Sequence, residues 1–407
     1  MLGESEDAGR ENNFLTTDIK REAFLLIRQM QSKLRSTGGD NELSDKRTEF
    51  AAGRNPPVFH RLFILGNGFD LAHHYNTKYC YFRYWMEEKL KGAYPELGLD
   101  AAGHIVIDDN PEIPSVTVSH HGDETADENQ TLYLLMWLLL NITTLDDEWN
   151  EFEAALHDLD LEGIIDMNGW TVEDNARDKE GFINPFHADA DYSEMASDLQ
   201  TAVRLLPKLF ERWIEDVDIF AVPKLPIGDL MDEDSLYLSF NYTETLEKIY
   251  DVPGYLIDHI HGLRLGAAGY YSAESAFPNT VGKMIVGHGN DESREFDSSY
   301  INKERILQET IEELRKPVDS LLREHTALWG YIFQGGIREV YSFGFSFSDV
   351  DIPYIQQIVV SLKHGEDVTW YLNKYDDNPD DDGFVKNTKF EEVLRTCGFK
   401  GNFGRYD

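Results

Sequence analysis

RLFILGNGFDLAHHYNTKY, residues 61–79, decides how this chain is read. An apolar run of the kind that makes a buried strand breaks into Gly66-Asn67-Gly68 and then into a helix-like segment. A strand feeding a glycine turn and a helix N-terminus is a shape that binds phosphate. Glycine lets the backbone approach closely, and the first helical N–H groups face the anion. The turn is not the dehydrogenase fingerprint, because Leu71 stands where GxGxxG places its third glycine. Asp70 has two readings, an N-cap of the helix or a ribose contact; beside a pyrophosphate its charge would be repelled. His73 and His74 are adjacent, point to different faces, and read as structural or surface residues.

Outward from this turn, strands and helices alternate. SLYLSFN (235–241), YLIDHIHG (255–262), KMIVGHG (283–289), REVYSFGFSFSD (338–349) and DVTWYLN (367–373) read as strands. TETLEKIY (243–250), residues 301–330 and DIPYIQQIVVSLKHG (351–365) read as helices. This alternation predicts an α/β fold with a mainly parallel, Rossmann-like sheet, whose ligands bind at the carboxyl ends of the strands. A large, mainly helical insertion is expected at about 131–230, with a polar stretch near 170–190. Residues 1–57 read as an N-terminal amphipathic helix (14–36, carried by Phe24, Leu25, Ile27, Met30 and Leu34) and a linker, ahead of an α/β domain at 58–407.

Composition removes several function classes. The formal charge of −38 argues against a nucleic-acid backbone as partner, since that binding needs clustered Lys and Arg. Cys80 and Cys397 make neither a disulfide framework nor a zinc site. LYLLMWLLLNI (132–142) is too short to span a bilayer and reads as a buried helix, and no basic n-region precedes an apolar stretch. A soluble, cytoplasmic protein without a membrane partner is expected.

The polar residues at strand ends carry the chemistry. Asn241 closes 235–241 at a strand-to-helix turn, where asparagine is also common for local reasons. Thr243 reads as a cap of the next helix. His259 and His261, two apart in a strand, are expected to share one face, and histidine is the usual general base near neutrality. A metal site would need a third ligand, for which His288 is the candidate. Gly344-Phe345-Ser346-Phe347-Ser348-Asp349 is only a partial nucleophile elbow. The order of serine, acid and histidine fails because the histidines lie upstream, so a serine hydrolase is disfavoured. Small hydroxyl residues at a strand end equally suit a ribose or a phosphate.

Taken in order, ILGNGFDLAH, SFNYTETLEKIY, HIHG, IVGHG and FGFSFSDVDI resemble the signature of the phage abortive-infection family AbiH, from about residue 61 to 355. More distantly the same series is similar to sirtuin-like domains, with a Gly-x-Gly turn, an Asn-Tyr element, a His-Gly and a Gly-x-Ser. That resemblance implies NAD held on a Rossmann-like fold and hydrolysed, as several antiphage members do. Asn241 then corresponds to the asparagine that orients water or ribose, and His261 to the catalytic base. Gly66, Asn67, Gly68, Phe69 and Asp70 would hold the nucleotide, with Ser346 and Asp349 closing the pocket. Three residues depart from the sirtuin-like pattern: Asn67 and Asp70 intervene in the turn, and Thr243 stands where many relatives carry Asp. Without zinc-binding cysteines, protein deacylation is not expected.

The expected activity is therefore antiphage NAD glycohydrolysis, with NAD as substrate, no required cofactor and no metal. A nucleotide-sensing or toxin-scaffold module without turnover is the alternative, and metal-dependent hydrolysis a third reading. A small nucleotide is the expected partner, with a second copy of the chain or a phage-derived trigger as further ones.

Overall fold

The computed structural model describes residues 58–407 except 108–109, 119–120, 122–123, 147, 272–274, 291–293, 297–298, 335 and 380–384. The helix and linker expected within 1–57 lie outside the described residues. Two compact units divide the chain. One comprises the described residues up to Tyr75 together with Ile219–Met284 and Pro317–Asp407; the other comprises Asn76–Asp218 and Ile285–Lys316.

Six parallel strands organise the first unit: β1 (Arg61–Leu65), β2 (Ser235–Ser239), β3 (Ile257–His259), β4 (Glu339–Phe343), β5 (Thr369–Asn373) and β6 (Asn402–Tyr406). Their spatial order is β3-β2-β1-β4-β5-β6, the Rossmann order, and the strand order reverses between β1 and β4. Helices in the crossovers include α1 (Asn67–Ala72), α2 (Thr245–Tyr250), α3 (Thr326–Phe333), α4 (Ile352–Ser361) and α5 (Lys386–Thr396). Parallel neighbours require such crossovers.

The central strands bury both faces, which is why they appear in sequence as unbroken apolar runs. Register then aligns their aromatic residues. Phe63 pairs with Tyr237 and Tyr341, and Tyr341 with Tyr371. The rings stack across four strands at centroid separations of 5.2, 5.1 and 4.7 Å. Each such cross-strand pair contributes roughly 0.5–1.5 kcal/mol beyond its buried area.

Two strand assignments differ from expectation. KMIVGHG forms no strand; only a single bridge, His288 with Arg315, occurs there. Conversely, β6 was not expected, because NFGRY is half exposed, contains Gly404 and has no apolar run.

In the second unit helices predominate, among them Tyr79–Ala93, Glu128–Leu140, Pro185–Val203, Leu206–Asp216 and Ile301–Glu313. The sequence places the helical stretch at about 131–230, whereas this unit draws on residues 76–218 and 285–316. Its apolar 132–142 segment lies in the buried helix Glu128–Leu140. Phe82 sits among Phe152, Phe210 and Trp213, with centroids 5.3–5.5 Å away. No helix among the described residues is long and apolar enough to cross a membrane.

Candidate active site at the carboxyl edge of the sheet

Leu65, Ser239, His259 and Phe343 end β1, β2, β3 and β4, and register places Ser239 beside both Leu65 and His259, and Phe343 beside Leu65. The segments carrying every expected site residue therefore leave the sheet at one edge. Two of them meet backbone to backbone. A Cβ on Gly68 would lie 2.5 Å from Gly344 Cα, and one on Gly66 would lie 2.5 Å from the Gly344 oxygen. Gly344 itself has φ +62°, a left-handed conformation that favours glycine. The glycines of GNG and FGF are thus required by each other.

That contact also uses the turn's donors. Gly66 N–H donates to Phe343 O (3.1 Å), Gly68 N–H to Gly344 O (2.9 Å) and Phe69 N–H to Gly66 O (2.9 Å). The N–H groups expected to cradle phosphate are engaged by main-chain carbonyls. Phe69 is buried, while Asn67 and Gly68 remain half-buried. Ser346 and Asp349 are exposed on the segment that follows β4.

Asp70 neither caps α1 nor reaches outward. It is 1% exposed, and its two oxygens accept from Thr243 Oγ1 (2.5 Å) and Thr245 Oγ1 (2.7 Å). Thr243, expected to cap the next helix, is committed to this bond instead. Two of the departures from the sirtuin-like pattern, Asp70 and Thr243, are therefore partners, tying α1 to the segment after β2. Burial pushes the Asp70 carboxyl up to about 6, against the pull of its hydroxyl donors.

Three further buried pairs underlie the edge. Glu244 takes a two-pronged bond from Arg264 (2.6 and 2.5 Å). Burial opposes the Glu244 charge, but the guanidinium outweighs it and holds this carboxyl below its ordinary range. Glu247 pairs with His259 at 3.1 Å and accepts from the Tyr271 hydroxyl. Asp258 pairs with His325 at 2.6 Å, both about 1% exposed. Arg264 and His325 were not singled out from sequence; no spacing links them to acids 20 and 67 residues away.

β3 stops at His259, so His261 lies in the turn beyond it, and the two imidazoles do not share a strand face. His259 faces Asn241 O, Glu247 and Tyr271. His261 instead meets the rings of Phe240 (5.1 Å), Tyr242 (6.4 Å) and Tyr354 (5.5 Å), with its Nε2 3.9 Å from Asp351 Oδ1. Asp351, two residues beyond the Asp349 named from sequence, is thus the carboxylate near His261. The neighbour was missed because a 3-10 turn, Asp349–Asp351, redirects the chain before α4.

Asn241 lies in sequence between Phe240 and Tyr242, whose rings face His261. It is 6% exposed, and its carboxamide oxygen is buried without a hydrogen-bond partner among the described residues. His73 is buried between Phe69 O (2.6 Å) and the Tyr250 hydroxyl (2.8 Å), a structural role; His74 is exposed. His288 belongs to the helical unit, where its Nε2 bonds to Ile311 O. Among the described residues no group of three or more His, Cys, Asp or Glu is arranged to hold a metal ion.

The family model for bacteriophage abortive infection AbiH matches residues 62–374, more than half of the chain. The chain belongs to the AbiH family. Membership supports a role in antiphage abortive infection, and the matched span takes in the second unit, the first unit between residues 62 and 374 and all the site residues discussed. No curated protein and no solved structure matched the chain.

Proposed function

We propose that this AbiH protein binds NAD at the carboxyl edge of its sheet and hydrolyses the nicotinamide–ribose bond. One observation carries the reading: Asn241 keeps a buried acceptor without a donor among the described residues, on the segment whose Phe240 and Tyr242 rings meet His261. Leaving such an atom unpaired costs about 1–3 kcal/mol, a cost that a ligand's donor would offset. Glu247 Oε2 and Asp258 Oδ2 are likewise buried without partners among the described residues. The deficit at this edge is of donors. Ribose hydroxyls, the nicotinamide amide and water supply donors; a phosphate does not.

The chemistry asks little acid catalysis. As the bond between the anomeric carbon and nicotinamide breaks, its electron pair returns to the ring nitrogen and neutralises it. Water then forms the new carbon–oxygen bond and gives its proton to His261. Asn241 fixes the water or the ribose hydroxyl by accepting from it. Asp351 faces the imidazole and favours its protonated form as the proton arrives. Asn67, Gly68, Ser346 and Asp349, the more exposed residues of the two glycine segments, are left to contact the remainder of the nucleotide.

The test is incubation of the purified protein with NAD, followed by chromatography for nicotinamide. His261→Ala and Asn241→Ala should each lower its release by ~100- to 10,000-fold while the variants stay folded. Undiminished release from both variants would overturn the assignment. Thermal stabilisation by NAD without product over hours would instead favour a nucleotide-sensing module.

A further inference from the structure

We propose that His259 is a positioning residue for Asn241: with Glu247 it forms a buried ion pair that grips the main-chain carbonyl of Asn241 and so aims its carboxamide. This rests on the reading of the site given above. His259 Nδ1 lies 3.0 Å from Asn241 O and Nε2 lies 3.1 Å from Glu247 Oε1. A carbonyl and an ionised carboxylate only accept, so with Glu247 ionised both ring nitrogens carry hydrogen and the imidazole is cationic. His259 is 3% exposed, and Glu247 accepts in addition from the Tyr271 hydroxyl. The same residue is held on its other side, because Asn241 N–H donates to Ser239 Oγ at 3.2 Å. With N–H and C=O both fixed, the backbone of Asn241 leaves its side chain few directions.

The titratable groups acting on His259 are Glu247, its chain neighbour Asp258, Asp70 across from α1, and the nearby Tyr271. Burial, the largest influence, disfavours the imidazolium, but Glu247, the Asn241 carbonyl and Asp258 together outweigh it, and His259 holds its proton above the ordinary histidine range. When that proton leaves, one of the two bonds becomes lone pair against lone pair. Asn241 is then released, without any change in His261.

The pH profile of NAD cleavage separates this role from simple packing. The rising limb reports the base, His261; the falling limb should report His259. His259→Gln keeps an amide donor for Asn241 O but cannot titrate, so it should retain the rising limb and lose the falling one. His259→Phe should lower kcat about 10- to 100-fold with KM little changed, the usual effect of a small misplacement. A falling limb that persists in His259→Gln, or an unchanged kcat in His259→Phe, overturns the proposal.

A second measurement holds even if the chain does not cleave NAD. In protein labelled with 15N at asparagine, the Asn241 carboxamide signal, assigned with Asn241→Asp, should move or split in His259→Gln while the other asparagine signals stay in place. A signal unmoved by the substitution would refute the positioning role.

Discussion

Replacing Asp70 by Asn tests the buried clamp between α1 and the segment after β2. The carboxyl titrates at about 6 in the fold against an ordinary value of 3.8. Because the folded value is raised, the native state holds the proton longer than the unfolded chain. Its contribution is fully present below the unfolded value and is lost as pH rises through about 6. At about 1.36 kcal/mol per pH unit, the whole interval amounts to roughly 3 kcal/mol, of which about half develops above pH ~5. Asparagine has nearly the same shape, can still accept from one threonine hydroxyl and cannot titrate. Urea unfolding of both proteins should therefore show Asp70→Asn gaining on the native chain by roughly 1.4 kcal/mol between pH ~5 and ~7.5. That range lies above the isoelectric point of about 4.6, and the comparison cancels the groups that do not interact with Asp70. A difference that stays constant across it would refute the reasoning, since Asp70 would then ionise as it does in the unfolded chain.

Other substitutions probe the contacts that shape the edge. Gly344→Ala, with a Cβ 2.3 Å from Phe69 N and φ +62°, should cost about 3 kcal/mol or more in urea unfolding. Arg264→Leu strands Glu244 in the interior and should cost roughly 3–5 kcal/mol, while adding Glu244→Met should recover most of that stability. Of the two nearby acids, Asp351→Asn should lower nicotinamide release far more than Asp349→Asn, because only Asp351 lies within 3.9 Å of His261 Nε2. Equal effects would return the role to Asp349.

What could be read from the sequence follows burial. β1 and β2 bury every or nearly every residue, so their apolar runs and the glycine or asparagine that ends them were visible directly. β6 was not, because a half-exposed edge strand needs no apolar run. KMIVGHG misled for the opposite reason: Met284 and Val286 are buried, yet in a loop, and burial alone does not make a strand. That Asn241 and His261 follow strands was legible, although both lie two residues beyond the strand itself, whereas the partners were not. Thr243 is 173 residues from Asp70, and no local pattern announces that bond. The alternation rule likewise failed at His261, because it holds only while the strand lasts and β3 ends two residues earlier.

The wiring beneath the edge also changes what the glycine turn means. A glycine turn before a helix suggests an anion, because its N–H groups point outward without partners. Here Gly66, Gly68 and Phe69 have spent theirs on main-chain carbonyls, and the glycines are explained by the approach of Gly344. Among the described residues, acceptors lacking donors occur instead at Asn241, Glu247 and Asp258, on α2, β3 and the segment after β2. A buried acceptor calls for a hydroxyl or an amide, and an anion there would meet only repulsion from carboxylates. At this fold edge the unpaired acceptors among the described residues therefore lie toward β2 and β3 and not at the β1 turn.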